Sequence, residues 1–319
     1  MHRFLARRLA ALVLTTLIAL SVGHVIFNAG LDQMSWGEAF KDAPGHLRDI
    51  AGGEFGATRG GKCAPPQIGH IELCTSYSPG EVGTMLRDRL PIDLQLMLGG
   101  LILGTGLGVA AGRWCAVYPG TAVTRAIHAV TACLQSCPPY FLAFAVLILF
   151  SWSTGTYKIP FVSGQGDYRP FGQDPLQFIK AMWVPWIVSA LPLAAYVARI
   201  AEISVIESLQ EDFIRTARAK GLPLRRVLNR HALPVATPPI AAMTGVNVST
   251  LLINVAAIEY GFSLPGMFSL IRGAIVNQDV AVLEALVLEG VILVTVANFL
   301  VDALQARMDP RIRSAERGV

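Results

Sequence analysis

Five fixed cations, Arg218, Lys220, Arg225, Arg226 and Arg230, and no acid occupy the stretch TARAKGLPLRRVLNRHALP at residues 216 to 234. The chemistry open to it is electrostatic: a polyanion, an anionic lipid surface or another protein could be bound there. A second set of polar residues lies inside strongly apolar runs. His128 and Gln135 stand seven residues apart and share a helical face, and Asn247 and Asn254 repeat that spacing. Glu284, Glu289, Asn298 and Asp302 fall in or beside one further run. Ionisable and amide groups in lipid are costly unless they face protein or water. They therefore either bond helices to one another or line a wet pathway, for which Gln135, Asn247, Asn254 and Glu259 are the candidates.

A third set, Cys63, His70 and Cys74, has a spacing that matches no common zinc pattern and lacks a fourth ligand. No metal site is expected. No His-Glu-x-x-His, Gly-x-Ser-x-Gly or P-loop sequence occurs. The residues point to binding and positioning, and the chain is not expected to be an enzyme.

Positioning falls to helices in a membrane. Of the 319 residues 53% are hydrophobic and only 15% charged, against about 25% charged in soluble domains. Crossing a hydrocarbon core takes roughly 20 apolar residues, and six runs qualify, near 9–29, 94–112, 126–152, 182–201, 235–258 and 283–304. The first follows Arg3, Arg7 and Arg8, but its apolar part is longer than a signal-peptide core and no small-x-small site follows, so it reads as a span. Six spans put both termini on one side. With that side cytoplasmic, 16 of the 26 Lys and Arg lie inside. The net charge of +4 then reflects topology rather than a nucleic-acid partner.

The expected fold is an all-α integral membrane protein with six transmembrane helices, both termini cytoplasmic and a long outer loop between spans one and two. Residues 1–30 form the first span with its basic start, 31–90 the outer loop, 91–305 a five-span core with a cytoplasmic loop at 202–234, and 306–319 a cytoplasmic tail. The outer loop is rich in Gly, Pro and charge and is expected to hold little regular structure before Pro79. Cys63 and Cys74 fall in it, where an oxidising compartment could join them or leave two free thiols.

In the second span Gly100, Gly104, Gly108 and Gly112 recur once per turn. Such a stripe lets a neighbouring backbone come close; a phosphate loop is the weaker reading, since no strand precedes it and no Gly-Lys-Ser/Thr follows. In the third span Pro138 and Pro139 remove two backbone donors and should kink the helix.

In the basic loop, Glu211 and Asp212 stand where a short helix would start, Lys220 where it would end and Gly221 just beyond, which predicts a helix over 212–220. A second helical pattern follows Pro223 and stops at Pro234, where the fifth span begins. A DNA-binding helix-turn-helix has a similar outline, but a helix tethered to a bilayer at both ends cannot enter a groove about 8.5 Å deep. Anionic lipid would satisfy some charge without explaining the helix, break, helix shape.

Arg215-Thr216-Ala217, Gly221 and Leu233-Pro234 resemble the signature loop of permeases of ATP-binding-cassette importers, and RTARAKG is similar to the dipeptide, oligopeptide and nickel branch. RFLARRLAALV at the start, Arg89-Leu90-Pro91, Glu259 with Phe262, Pro265 and Gly266, Asp279, and Asp309-Pro310-Arg311-Ile312-Arg313 extend the resemblance over nearly the whole chain. Phe268, where that branch has Gly, and Val280-Ala281, where it has Tyr-Pro, bear on substrate more than architecture. The resemblance implies a multi-pass protein of the bacterial cytoplasmic membrane that partners a second homologous permease, two cytoplasmic ATP-binding subunits and an outer solute-binding protein. It also implies that ATP and Mg act in the partner subunits, with no cofactor in this chain. Asp212, Arg215, Thr216, Ala217, Lys220, Gly221, Leu233 and Pro234 would then form the ATPase-coupling loop, with Arg215, Thr216 and Ala217 as its docking surface. A stand-alone secondary transporter or channel would instead call for carboxylates near mid-membrane, and the acids here are expected mainly near span ends.

Overall fold

A computed structural model describes residues 2–30, 34–58, 60, 67–68, 71–72, 77–150, 157 and 168–308. In chain order its helices are α1 (His2–Gly30), α2 (Trp36–Ala51), α3 (Val82–Val117), α4 (Ala122–Ser136), α5 (Pro139–Phe150), α6 (Pro175–Gln210), α7 (Asp212–Ala219), α8 (Leu224–Val227), α9 (Leu233–Val246), α10 (Val248–Phe262), α11 (Ile271–Val276) and α12 (Val280–Met308). Two short antiparallel pairings, Ala57–Thr58 with Gly80–Glu81 and Gln67–Ile68 with Ile71–Glu72, lie between α2 and α3.

Among the described residues four helices are long and apolar enough to cross a membrane, within α1, α3, α6 and α12. Two bent pairs raise the number to six if each pair is one span. The pair α4 and α5 bends by 110° and the pair ending in α10 by 50°. At the first bend Cys137 is extended, with φ −100° and ψ 123°, as the ring of a following proline demands. The expected kink at Pro138 and Pro139 is thus a full break. The second bend falls at Asn247, between α9 and α10.

The centre of the molecule is α6, whose apolar window is 72% buried, whereas that of α1 is 17% buried and leaves Val13, Leu14 and Ile18 exposed. Along α3, Gly100, Gly104, Gly108 and Gly112 are all buried and face α6. A β-carbon added at Gly104 would stand 3.0 Å from the Ala190 carbonyl oxygen, and one at Gly108 2.6 Å from the Val197 β-carbon. The stripe is therefore a backbone-to-backbone contact, and Leu96, Met97, Met182, Leu251 and Ile258 fill the core around it.

The segment between α1 and α3 carries more regular structure than its composition suggests. Ser35 and Glu38 make a reciprocal capping box that starts the 16-residue helix α2. That helix packs Ala39 and Ala43 inward and leaves Trp36 and Phe40 exposed. The segment is tied to the start of α12 by Asp279, which accepts hydrogen bonds from the hydroxyls of Thr58 and Tyr77 and from the backbone of Val282. Burial first, and then the Asp279 charge, pushes the Tyr77 phenol up to about 12.

Candidate functional site

The basic loop folds into a short rigid projection. After the extended Glu211, α7 runs from Asp212 to Ala219, close to the expected 212–220. Its apolar residues Ile214 and Ala217 are buried, at 0% and 7% exposure, and seat it on α6 and α8. Ala217 is thus part of the seat, not of an outer docking surface, because it lies one turn from Ile214 on the inward face. The outer face presents Asp212, Phe213, Arg215, Thr216, Arg218 and Lys220. Arg215 and Asp212 approach to 3.5 Å in full exposure, a contact of little energetic weight.

The helix ends in a Schellman arrangement: Gly221 donates to the Arg218 carbonyl at 2.9 Å and Leu222 to the Ala217 carbonyl at 3.4 Å. Gly221 holds φ at +76°, where any side chain costs about 1–2 kcal/mol. Gly221→Val is therefore expected to leave membrane insertion intact while fraying the last turn of α7. Hydrogen exchange at 217–222 should speed up roughly tenfold, and unchanged exchange would count against the capped helix.

Beyond the turn, the expected stop at Pro234 does not occur. The second loop helix continues into α9 through a π turn at Leu228–Ala232, closed by Leu233 donating to the Leu228 carbonyl. A π turn widens the helix locally, which accommodates the ring of Pro234 without a break. Arg113 at the end of α3 donates to Asn229 at 2.9 Å and ties this segment to the bundle. The five cations that opened the question, Arg218, Lys220, Arg225, Arg226 and Arg230, are all exposed.

The polar span residues divide. His128 meets the Glu202 carboxylate of α6 at 2.9 and 3.1 Å, and the exposed Gln135 lines a small cavity with them and Cys115. Asn247, half-buried, donates to the Met243 carbonyl at the bend, while Asn254 is 2% exposed. The bend keeps these two from forming one straight polar face. Cys63 and Cys74 lie outside the described residues.

Two motifs far apart in sequence meet at the opposite end of the bundle from α7. Arg89 donates to the carbonyls of Gly266 at 3.0 Å and Pro265 at 3.4 Å. Asp93 accepts from the Met267 amide at 2.9 Å and Glu259 from the Ser269 amide at 2.7 Å. Glu289 lies against Asp93, and the three carboxylate residues are fully buried, at 0% exposure. Burial, rather than a place in mid-span, sets these acids apart. Asp93 carried no signal of its own, but its place four residues after Arg89, on the same helical face, could have marked it.

A helical bundle with four to six candidate spans is the architecture of a multi-pass membrane protein. The family of binding-protein-dependent transport system inner membrane components matches residues 104–314, and the chain belongs to it. An oligopeptide transport system permease protein OppB of Mycobacterium bovis is 30% identical over 249 residues, 75% of each chain. A Brucella abortus (strain 2308) protein bearing the name of a peptide transport system permease is 29% identical over 245 residues, 76% of each. A crystal structure of an amino acid ABC transporter with histidines overlaps at a TM-score of 0.46 with 16% identity, covering 72% of this chain and 94% of that one.

Proposed function

We propose that the chain is one of two permease subunits of an ATP-binding-cassette importer for di- or oligopeptides or a related small solute, set in the bacterial cytoplasmic membrane. Six spans with both termini cytoplasmic place α7 on the inner face. There it enters a groove of one of two ATP-binding subunits, which hold the ATP and Mg and do the hydrolysis. A second homologous permease supplies the other half of the pathway, and an outer solute-binding protein delivers the ligand. Gln135, Asn247, Asn254 and Glu259 are the chain's polar candidates along that pathway. The names of the relatives support the peptide class.

The observation that carries the reading is α7 itself. Its buried seat and Schellman cap make it stiff, while Phe213, 43% exposed, and Thr216 stand outward. A stiff projection joined directly to the central helix α6, and through α8 and the π turn to α9, transmits a push from an ATPase into the spans. The test is a mild-detergent pull-down of tagged wild type against Phe213→Asp with Thr216→Asp, two changes that touch no buried residue. Wild type should bring a second permease and ATPase subunits, and the variant should lose the ATPases by roughly tenfold or more, as removal of an aromatic anchor does. Transport in liposomes by the isolated chain without ATP would replace this reading with a secondary carrier.

A further inference from the structure

A cluster outside the coupling loop and the Arg89 tether joins α1, α2 and α12. His24 is buried and its Nδ1 lies 2.8 Å from Glu284 Oε1, while His46 Nε2 lies 2.9 Å from Glu284 Oε2. One carboxylate thus bridges two imidazoles, whose rings stack at 4.2 Å. Asn28 Nδ2 donates to the same Oε1 at 3.1 Å. The other nitrogen of His24, Nε2, is buried with no hydrogen-bond partner and faces Asp42 Oδ2 at 3.7 Å.

We propose that His24, His46 and Glu284 form a binding site for a divalent transition-metal ion of the zinc class. Two imidazoles and a carboxylate with no thiolate are a donor set for zinc and its neighbours, and the three ligand atoms already lie within 4.8 Å of one another. Donors bound to one tetrahedral ion at about 2.0–2.1 Å stand roughly 3.3 Å apart. Each present N···O separation is about half an ångström shorter than that.

The surroundings match what a metal-bound histidine requires. With the ion on Nδ1 of His24, the ring proton resides on Nε2, and that orphaned nitrogen points at Asp42. A carboxylate behind the far nitrogen fixes the tautomer and strengthens the ligand. Asn28 Nδ2 steadies the same Glu284 oxygen and lies 3.1 Å from His24 Nδ1, so it would shift slightly as the ion enters. Protonating His24 alone, with a neutral His46 donating its Nε2–H, would satisfy the same carboxylates without an ion, and zinc retention separates the two states. Asp42, 65% exposed at its side chain, leaves a route in from solvent, and a water would complete the four ligands. The bound ion would clamp α2 to both α1 and α12.

The test uses the full chain carrying a histidine-free affinity tag, stripped with chelator and titrated with Zn²⁺ in detergent. About one ion per chain is expected, with His46→Ala and Glu284→Gln each weakening binding by roughly 100-fold. His128→Ala, in the separate Cys115, His128 and Glu202 group, should change nothing. Independently of any variant, X-ray absorption of the zinc-loaded wild type should show nitrogen and oxygen ligands including two imidazoles. No retained zinc in a monodisperse wild type, sulfur in the first shell, or affinity untouched in folded His46→Ala and Glu284→Gln would each overturn the site.

Discussion

Gly108→Val is expected to remove most of the correctly folded protein. In the native packing, a β-carbon at Gly108 would lie 2.6 Å from the Val197 β-carbon and 2.8 Å from the Ala194 carbonyl oxygen. Neither neighbour can swing aside, because one is a branch point and the other is backbone in the central helix. Overpacking a core costs about 1–3 kcal/mol where side chains can adjust, and here two helix axes must separate instead. The contact continues at Gly104 and Gly112, so α3 cannot tilt away at Gly108 without losing those approaches too. Gly106→Val is the control, since nothing stands within 4 Å of it. Size-exclusion profiles after a thermal ramp should show Gly108→Val aggregated well below the wild-type temperature and Gly106→Val unshifted. Equal behaviour of the two would mean that α3 and α6 are not in close contact.

That contact was readable in advance because one glycine per turn on an apolar helix has few other uses. Helix α7 was readable for a similar reason: acid at its start, base at its end and Gly221 beyond are local signals that tertiary structure had no cause to override. Other features were local and still passed unread. Ser35-x-x-Glu38 is a capping-box sequence, yet the Gly and Pro that follow it dominated the impression of a structureless outer loop. Pro234 is a stop signal in most helices, and only the π turn before it, which leaves no mark in sequence, lets the helix continue.

The long-range clusters were illegible for a different reason. His24, His46 and Glu284 sit on three helices, and only Glu284 stands out in the sequence, as a polar residue of an apolar run. Their meeting depends on how α2 lies across α1 and α12, which no periodicity encodes. Asp93 is similar: a carboxylate near the start of an apolar helix reads as interfacial until the loop after α10 is seen to close over it. Arg89 and Gly266 belong to separate motifs in the sequence, 177 residues apart.

Their meeting makes Gly266→Ala the most informative change at that end of the bundle. A β-carbon at Gly266 would overlap the carboxyl groups of both Glu259 and Asp93. These side-chain ends are not free to move, since Glu259 holds the Ser269 amide and Asp93 the Met267 amide, all inside a fully buried cluster. Making room means breaking at least one of these hydrogen bonds and stranding a buried amide, at about 1–3 kcal/mol for each group left unsatisfied. One methyl group should therefore destabilise the protein by about 2–5 kcal/mol, well above an ordinary exposed Gly→Ala change. The cycle with Asp93→Ala separates the cause from a general defect. Asp93→Ala removes one of the two overlapping carboxyls, so the double variant should be less damaged than the sum of the single changes, with a coupling of about 1 kcal/mol or more. Strict additivity in thermal unfolding would show that Gly266 is not held between those carboxyls.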